Sequence, residues 1–103
     1  MFKARQLQIR DCDQVFEVRP LSLAAVAEHH ELVNKALKID AEQGAVAAIP
    51  VALDAAFMGI VSPDRQWCLD NLHEGQLLEL AYLPRRAARA GDELEKNSVS
   101  PSA

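Results

Sequence analysis

Between Val15 and Leu37 the chain changes its hydrophobic period across only three residues, Pro20-Leu21-Ser22, and this change constrains the fold more than any other feature. Val15-Phe16-Glu17-Val18-Arg19 alternates as a half-buried strand does, while from Leu23 onward apolar residues return at amphipathic-helix spacing. Pro20 has no backbone donor and so ends strand pairing, and Ser22 can offer its hydroxyl to the free N–H groups of the next turn. Leu21 and Val26 flank that cap as a hydrophobic staple. A strand that feeds a helix through so short a connection leaves the two elements one relative orientation.

Upstream, Lys3 to Arg10 alternates with Leu7 and Ile9 on one face, and the polar cluster Asp11-Cys12-Asp13-Gln14 separates this run from the next, which predicts a β-hairpin. Two strands alone are marginal in water, so the apolar face (Leu7, Ile9, Phe16, Val18) needs a helix or another chain against it. Alternation turns Val15 the other way, toward solvent or a partner.

Half of the residues are hydrophobic but only 5% are aromatic. The apolar content is mostly Ala, Leu and Val, which suits packed helices and argues against an all-β fold. Helix one is expected from Leu23 to about Ala41, with Leu23, Val26, Ala27, Val33 and Leu37 inward, His30 as a further candidate, and Gly44 as the stop. Helix two covers Val46 to Val61 and starts no earlier than Ala47, so that Pro50 falls in its first turn; its stripe is Ile49, Leu53, Ala56, Phe57 and Ile60. Ser62-Pro63-Asp64 reads as a cap, a first-turn proline and an acid near the positive end of the dipole. It opens helix three, Pro63 to Leu72, with Trp67, Cys68 and Leu72 inward. After a break at Leu72-His73-Glu74-Gly75, helix four runs from Gln76 to Leu83 (Leu77, Leu78, Leu80, Ala81), where Pro84 ends or kinks it.

At 103 residues this makes one domain. The expected class is mainly α, an N-terminal β-hairpin followed by about four helices, over residues 1–84. Beyond Leu83 the large apolar residues are Leu94 and Val99 alone, so 85–103 is expected to be a flexible tail. No internal repeat is present.

A formal net charge of -4 disfavours general nucleic-acid binding, which needs a basic surface. No window supplies the roughly 18 uninterrupted apolar residues of a membrane span, and the longest candidate, Ala45 to Val61, carries Pro50 and Asp54. The opening Met1-Phe2-Lys3-Ala4-Arg5-Gln6 lacks the apolar core of a secretory signal, so a cytoplasmic location is expected. Cys12 and Cys68, far apart, fit a reducing compartment and form neither a disulfide framework nor a metal knuckle.

His29-His30-Glu31 resembles metal-ligand material, but helical neighbours point about 100° apart and cannot share one ion, so the segment reads as a solvated helix face. Cys68 beside Trp67 reads as a small core hydrophobe, and Cys12 between two aspartates is a poor nucleophile. The four glycines are scattered one by one, so no phosphate loop exists. No catalytic group, cofactor site or metal site is assigned, and the chain is expected not to be an enzyme. Arg85-Arg86-Ala87-Ala88-Arg89 is the sole basic cluster, suited to a helix C-terminus or to docking an acidic partner. Exposed strand edges and a surplus of apolar helix positions predict self-association or partner docking through the hairpin edge and the helix-two face. The partner-binding candidates are Val15, Phe57, Arg85, Arg86 and Arg89.

The run Phe16-Glu17-Val18-Arg19-Pro20-Leu21-Ser22-Leu23 resembles the opening of small tail assembly chaperones of long-tailed bacteriophages. Ser62-Pro63-Asp64, restarting a helix, and the pair Trp67-Cys68-Leu69-Asp70-Asn71-Leu72 and Gln76-Leu77-Leu78-Glu79-Leu80 resemble later parts of that family, in the same order. The resemblance extends from the hairpin to Leu83. It implies a protein of the host cytoplasm that binds tape measure and tail tube proteins before they polymerise. It also implies a pair of products related by a programmed frameshift. Glu95-Lys96-Asn97 can be encoded GAA-AAA-AAC, which contains A-AAA-AAC, a heptamer on which two tRNAs can re-pair after slipping back one base. The alternative reading is a small acidic regulatory or host-inhibitory phage protein.

Overall fold

The period change at Pro20 is realised as expected, and it places a short strand beside a long helix. The computed structural model describes residues 2–89. In chain order these form β1 (Arg5–Leu7), β2 (Phe16–Val18), α1 (Leu23–Gln43), α2 (Ala45–Ala56), β3 (Ile60–Ser62), α3 (Arg65–Asn71), a 3-10 turn (Glu74–Gln76) and α4 (Leu77–Ala81). A further helical stretch, α5, occupies residues 83–89. The protein is mainly helical with an N-terminal antiparallel strand pair.

The hairpin pairs Arg5 with Val18 and Leu7 with Phe16. Its apolar face is covered in two ways. Phe16 and Val18 are fully buried under the helices, and β2 gains a second antiparallel neighbour, β3, through the pairs Glu17–Ser62 and Val18–Ile60. The sheet order is therefore β1-β2-β3, with β2 central.

That third strand corrects the expected helix two, which was to continue to Val61. The helix stops at Ala56, and Phe57-Met58-Gly59 turns the chain back. Gly59 sits where three segments converge: a Cβ there would lie 2.7 Å from the Arg19 carbonyl oxygen and 2.9 Å from Cβ of Pro84. The Arg19 N–H donates to the Gly59 carbonyl at 2.8 Å, extending the β2–β3 ladder. Ile60 and Val61, both β-branched, fit the pleat better than another helical turn. At its other end α2 starts at Ala45, earlier than expected, with Pro50 inside the helix. Val46, whose carbonyl Pro50 leaves without an N–H, is 76% exposed, and water can serve it.

Helix α1 is capped as read from the sequence. The Ala25 N–H donates to Ser22 Oγ at 3.2 Å, and Gly44, at φ 95°, closes the helix with its N–H on the Asp40 carbonyl. Its buried face, however, is His29, Val33 and Ala36. Of the expected inward residues only Val33 is fully buried; Leu23 is 92% exposed, and Ala27, His30 and Leu37 are exposed as well. Fit decides the outcome: α1 packs on α2 in a cluster of Val33, Ala36, Ala52, Ala55 and Ala81, where small side chains let the backbones approach.

Helix α3 begins at Arg65 with Asp64 as its cap, accepting from the Trp67 N–H at 2.9 Å. Ser62, the expected cap, is instead paired in β3. As expected, α4 does not run through Pro84: it stops at Ala81, Tyr82 forms a turn, and a new helical stretch begins at Leu83. Pro84 lies in the first turn of α5, where its missing N–H has no partner to lose, and the Tyr82 carbonyl accepts from Arg85 and Arg86. Ala87 is fully buried beside Leu80 and Leu83 in the main core with Phe16, Val18, Leu53 and Cys68. The expectation that core residues stop at Leu83 is thereby corrected: α5 covers the sheet side of the core. The remainder of the expected tail, with Glu95-Lys96-Asn97, lies outside the described residues. No helix among those described is long and apolar enough to cross a membrane.

Candidate functional site: an apolar face beside a polar clasp

Among the described residues two polar side chains are fully buried, and both tie distant segments together. Gln76 is 1% exposed. Its amide nitrogen donates to the carbonyls of Arg10 (2.7 Å) and Asp11 (3.2 Å), and its amide oxygen accepts from the His73 N–H (2.9 Å). Around it, the Arg10 guanidinium donates to the Gly75 carbonyl at 2.7 Å, and the Glu79 carboxylate accepts from the Arg10 N–H and from Arg86. His73 Nδ1 accepts from the Gly75 N–H, so its Nε2 carries the proton and faces the Asp11 carboxylate at 3.6 Å. These groups clasp the turn after β1, where Asp11 sits at φ 56°, to the start of α4. The clasp thus holds the β1 turn and the start of α4 in place.

The second buried group is His29. Its Nε2 donates to the Ala81 carbonyl at 2.7 Å, fixing α1 against the end of α4, with the Tyr82 ring edge-on at 6.5 Å. Its Nδ1 is buried with no partner. Burial holds the imidazole pKa below its ordinary 6.5; the Ala81 bond opposes this, and Arg85 and His30 add to it. His29 therefore departs from the solvated face expected for His29-His30-Glu31, whereas His30 is exposed and bonds Asn34 as its spacing suggests.

Where α4 leaves the clasp, it is flanked by two apolar grooves. The first, about 80 Å³, lies between α4 and α3, floored by Ile49, Leu53 and Leu80 and walled by Cys68, Leu69 and Leu72. The second, also about 80 Å³, lies between α4 and α1, floored by Ala45, Ala48 and Ala52 and walled by Ala36, Leu37 and Leu78. Leu77 and Glu74 line both grooves and form the ridge between them. Leu37, Leu69 and Leu78 are 38%, 49% and 46% exposed. Cys68 lies at the bottom of the first groove, and burial, with the nearby Asp64 charge and Cys12, pushes its thiol up to about 11.

The partner-binding candidates read from the sequence do not converge on these grooves. Val15 is exposed just before β2, facing away from the core as alternation predicts. Phe57 is half-buried at the end of α2 and packs on the main core. Arg85 is half-buried near His29. Arg86 is occupied by Glu79 and by the Gln8 carbonyl. Arg89 is exposed. The expected helix-two face does contribute, through Ala45, Ala48, Ile49, Ala52 and Leu53. The sequence reads the Leu77-Leu78-Leu80 ladder as core first and as an interface only for a helix at the rim; Leu80 is buried, Leu77 packs on the second core cluster while lining both grooves, and Leu78 is 46% exposed.

Among the described residues no group of three His, Cys, Asp or Glu side chains could hold a metal ion. Comparison with protein-family models, curated proteins and solved structures gives no match for this chain.

Proposed function

We propose that this protein is a binding protein without catalytic chemistry, a tail assembly chaperone that holds tape measure and tail tube proteins before they polymerise in the host cytoplasm. The observation that carries the reading is the pair of apolar grooves on either side of Leu77. They offer solvent-facing leucine on a rigid helical frame, the means by which a chaperone covers an apolar partner. The order of motifs from Phe16 to Leu80 that resembles the chaperone family gives that partner a class. The free outer edges of β1 and β3 provide a second route to association, including self-association.

The surrounding nucleotide sequence is the test. A gene for a very long, helix-rich protein immediately downstream, together with A-AAA-AAC over Glu95-Lys96-Asn97 and an open -1 frame, is the expected result. An unrelated neighbourhood with synonymous codons that destroy the heptamer refutes the tail-assembly reading and favours a small acidic regulatory protein.

A further inference from the structure

The apolar face beside α4 carries a charge pattern that narrows its partner. Glu74 lines both grooves and Asp40 lines the second, yet no lysine or arginine lines either one. Neither carboxylate belongs to an ion pair among the described residues. The acids of the neighbouring clasp differ, since Glu79 is held by Arg10 and Arg86. The face thus presents two hollows of similar size, parted by one leucine, with uncompensated negative charge on the ridge and one wall.

We infer that the occupant is an amphipathic helix of another protein with a basic flank. Apolar side chains on one face of that helix fill the grooves, and Lys or Arg beside them meets Glu74 and Asp40. This rests on the preceding reading only in that the face docks a partner. A second copy of the chain fits poorly, because joining this face to itself adds a second Glu74 and Asp40 and brings no lysine or arginine of the face to meet them. The chain's own Asp92-Glu93-Leu94-Glu95 run carries the same sign of charge and is no better. A basic helix alone fills both hollows and neutralises the ridge.

The test uses the full-length, isotope-labelled chain and two synthetic helical peptides of one length, one of Leu and Lys in amphipathic register and the other with Glu in place of Lys. Amide shifts are followed during titration. The Leu/Lys peptide should move resonances of Ala36, Ala48, Leu69, Leu77 and Leu78 saturably and bind about tenfold tighter than the Leu/Glu peptide at low salt, the worth of two exposed ion pairs. Added salt should narrow that ratio. The double variant Asp40→Lys/Glu74→Lys should reverse the preference, with its helical circular dichroism unchanged because both side chains stand at the surface.

Equal binding of both peptides in these grooves overturns the charge inference and leaves partner docking intact. Shifts of the same residues on raising protein concentration, with no peptide present, overturn it in favour of a second copy. No binding in the grooves also overturns it, and leaves the chaperone reading to be decided by co-expression with the neighbouring gene product.

Discussion

Replacing Gln76 with Met removes the centre of the polar clasp while nearly preserving side-chain volume. Gln76 makes three hydrogen bonds, to the carbonyls of Arg10 and Asp11 and from the His73 N–H. At a net contribution of about 0.5–1.5 kcal/mol each, their sum is roughly 1.5–4.5 kcal/mol. Arg10, Asp11 and His73 are exposed residues but all three bonds are part-buried, so the groups left behind regain water only in part, which favours the middle of that range. The His73 N–H bond is part-buried, and losing it leaves that donor less well served. The expected loss is therefore about 2–3 kcal/mol, or roughly 8–20 °C in Tm for a domain of this size. Urea unfolding followed by circular dichroism measures it, and the midpoint should fall with the m-value unchanged. Arg10→Met should cost less, because its guanidinium is exposed, and should be non-additive with Gln76→Met because both hold the same turn. A loss below about 0.5 kcal/mol for Gln76→Met would show that the clasp does not secure the β1 turn to α4.

Gly59→Ala should destabilise by about 1–3 kcal/mol, because its Cβ would meet the Arg19 carbonyl oxygen and Pro84 inside contact distance; unchanged thermal stability would contradict the convergence described at that point. Stability should also fall with acidity through His29. Its folded pKa is depressed, so on lowering the pH the unfolded chain takes the proton first, near 6.5, and stability is lost below that value by up to roughly 1.4 kcal/mol per pH unit until the folded imidazole titrates. Above about pH 7 the group adds no slope, and a His29→Gln variant should be measurably less acid-sensitive between about pH 6.5 and pH 5 than the parent; an identical profile would remove His29 from the account.

The local signals in the chain were legible, and the long-range ones were not. Ser22 and Gly44 delimit α1 by chemistry confined to a few residues, so each could be read in place. Ile60 and Val61 could not be separated from the helix before them, because the reason for the turn at Gly59 is the nearness of Arg19 and Pro84, which only the fold supplies. His29 was read as solvated because its partner, the Ala81 carbonyl, is 52 residues away. The same holds for Gln76 and the carbonyls of Arg10 and Asp11. On α1 the apolar pattern rightly placed Val33 inward but favoured Leu23 and Leu37 too, whereas close approach to an alanine-lined helix selected Ala36. The grooves arise between α1, α2, α3 and α4, and no single segment encodes them, although the paired leucines at 77 and 78 hinted at one.

The central claim is that the grooves flanking Leu77 hold an apolar partner, and co-expression with the product of the long helix-rich gene expected beside this one tests it most directly. The comparison is between the parent chain and Leu69→Glu/Leu78→Glu, which places a charge at one wall of each groove on side chains already about half exposed. Both chains should fold, with matching circular dichroism. The parent should keep the long protein in the soluble fraction and co-purify with it, while the variant should lose at least about tenfold of the co-purified material, as expected when charge is placed in an apolar contact. Equal recovery with both chains would contradict the account.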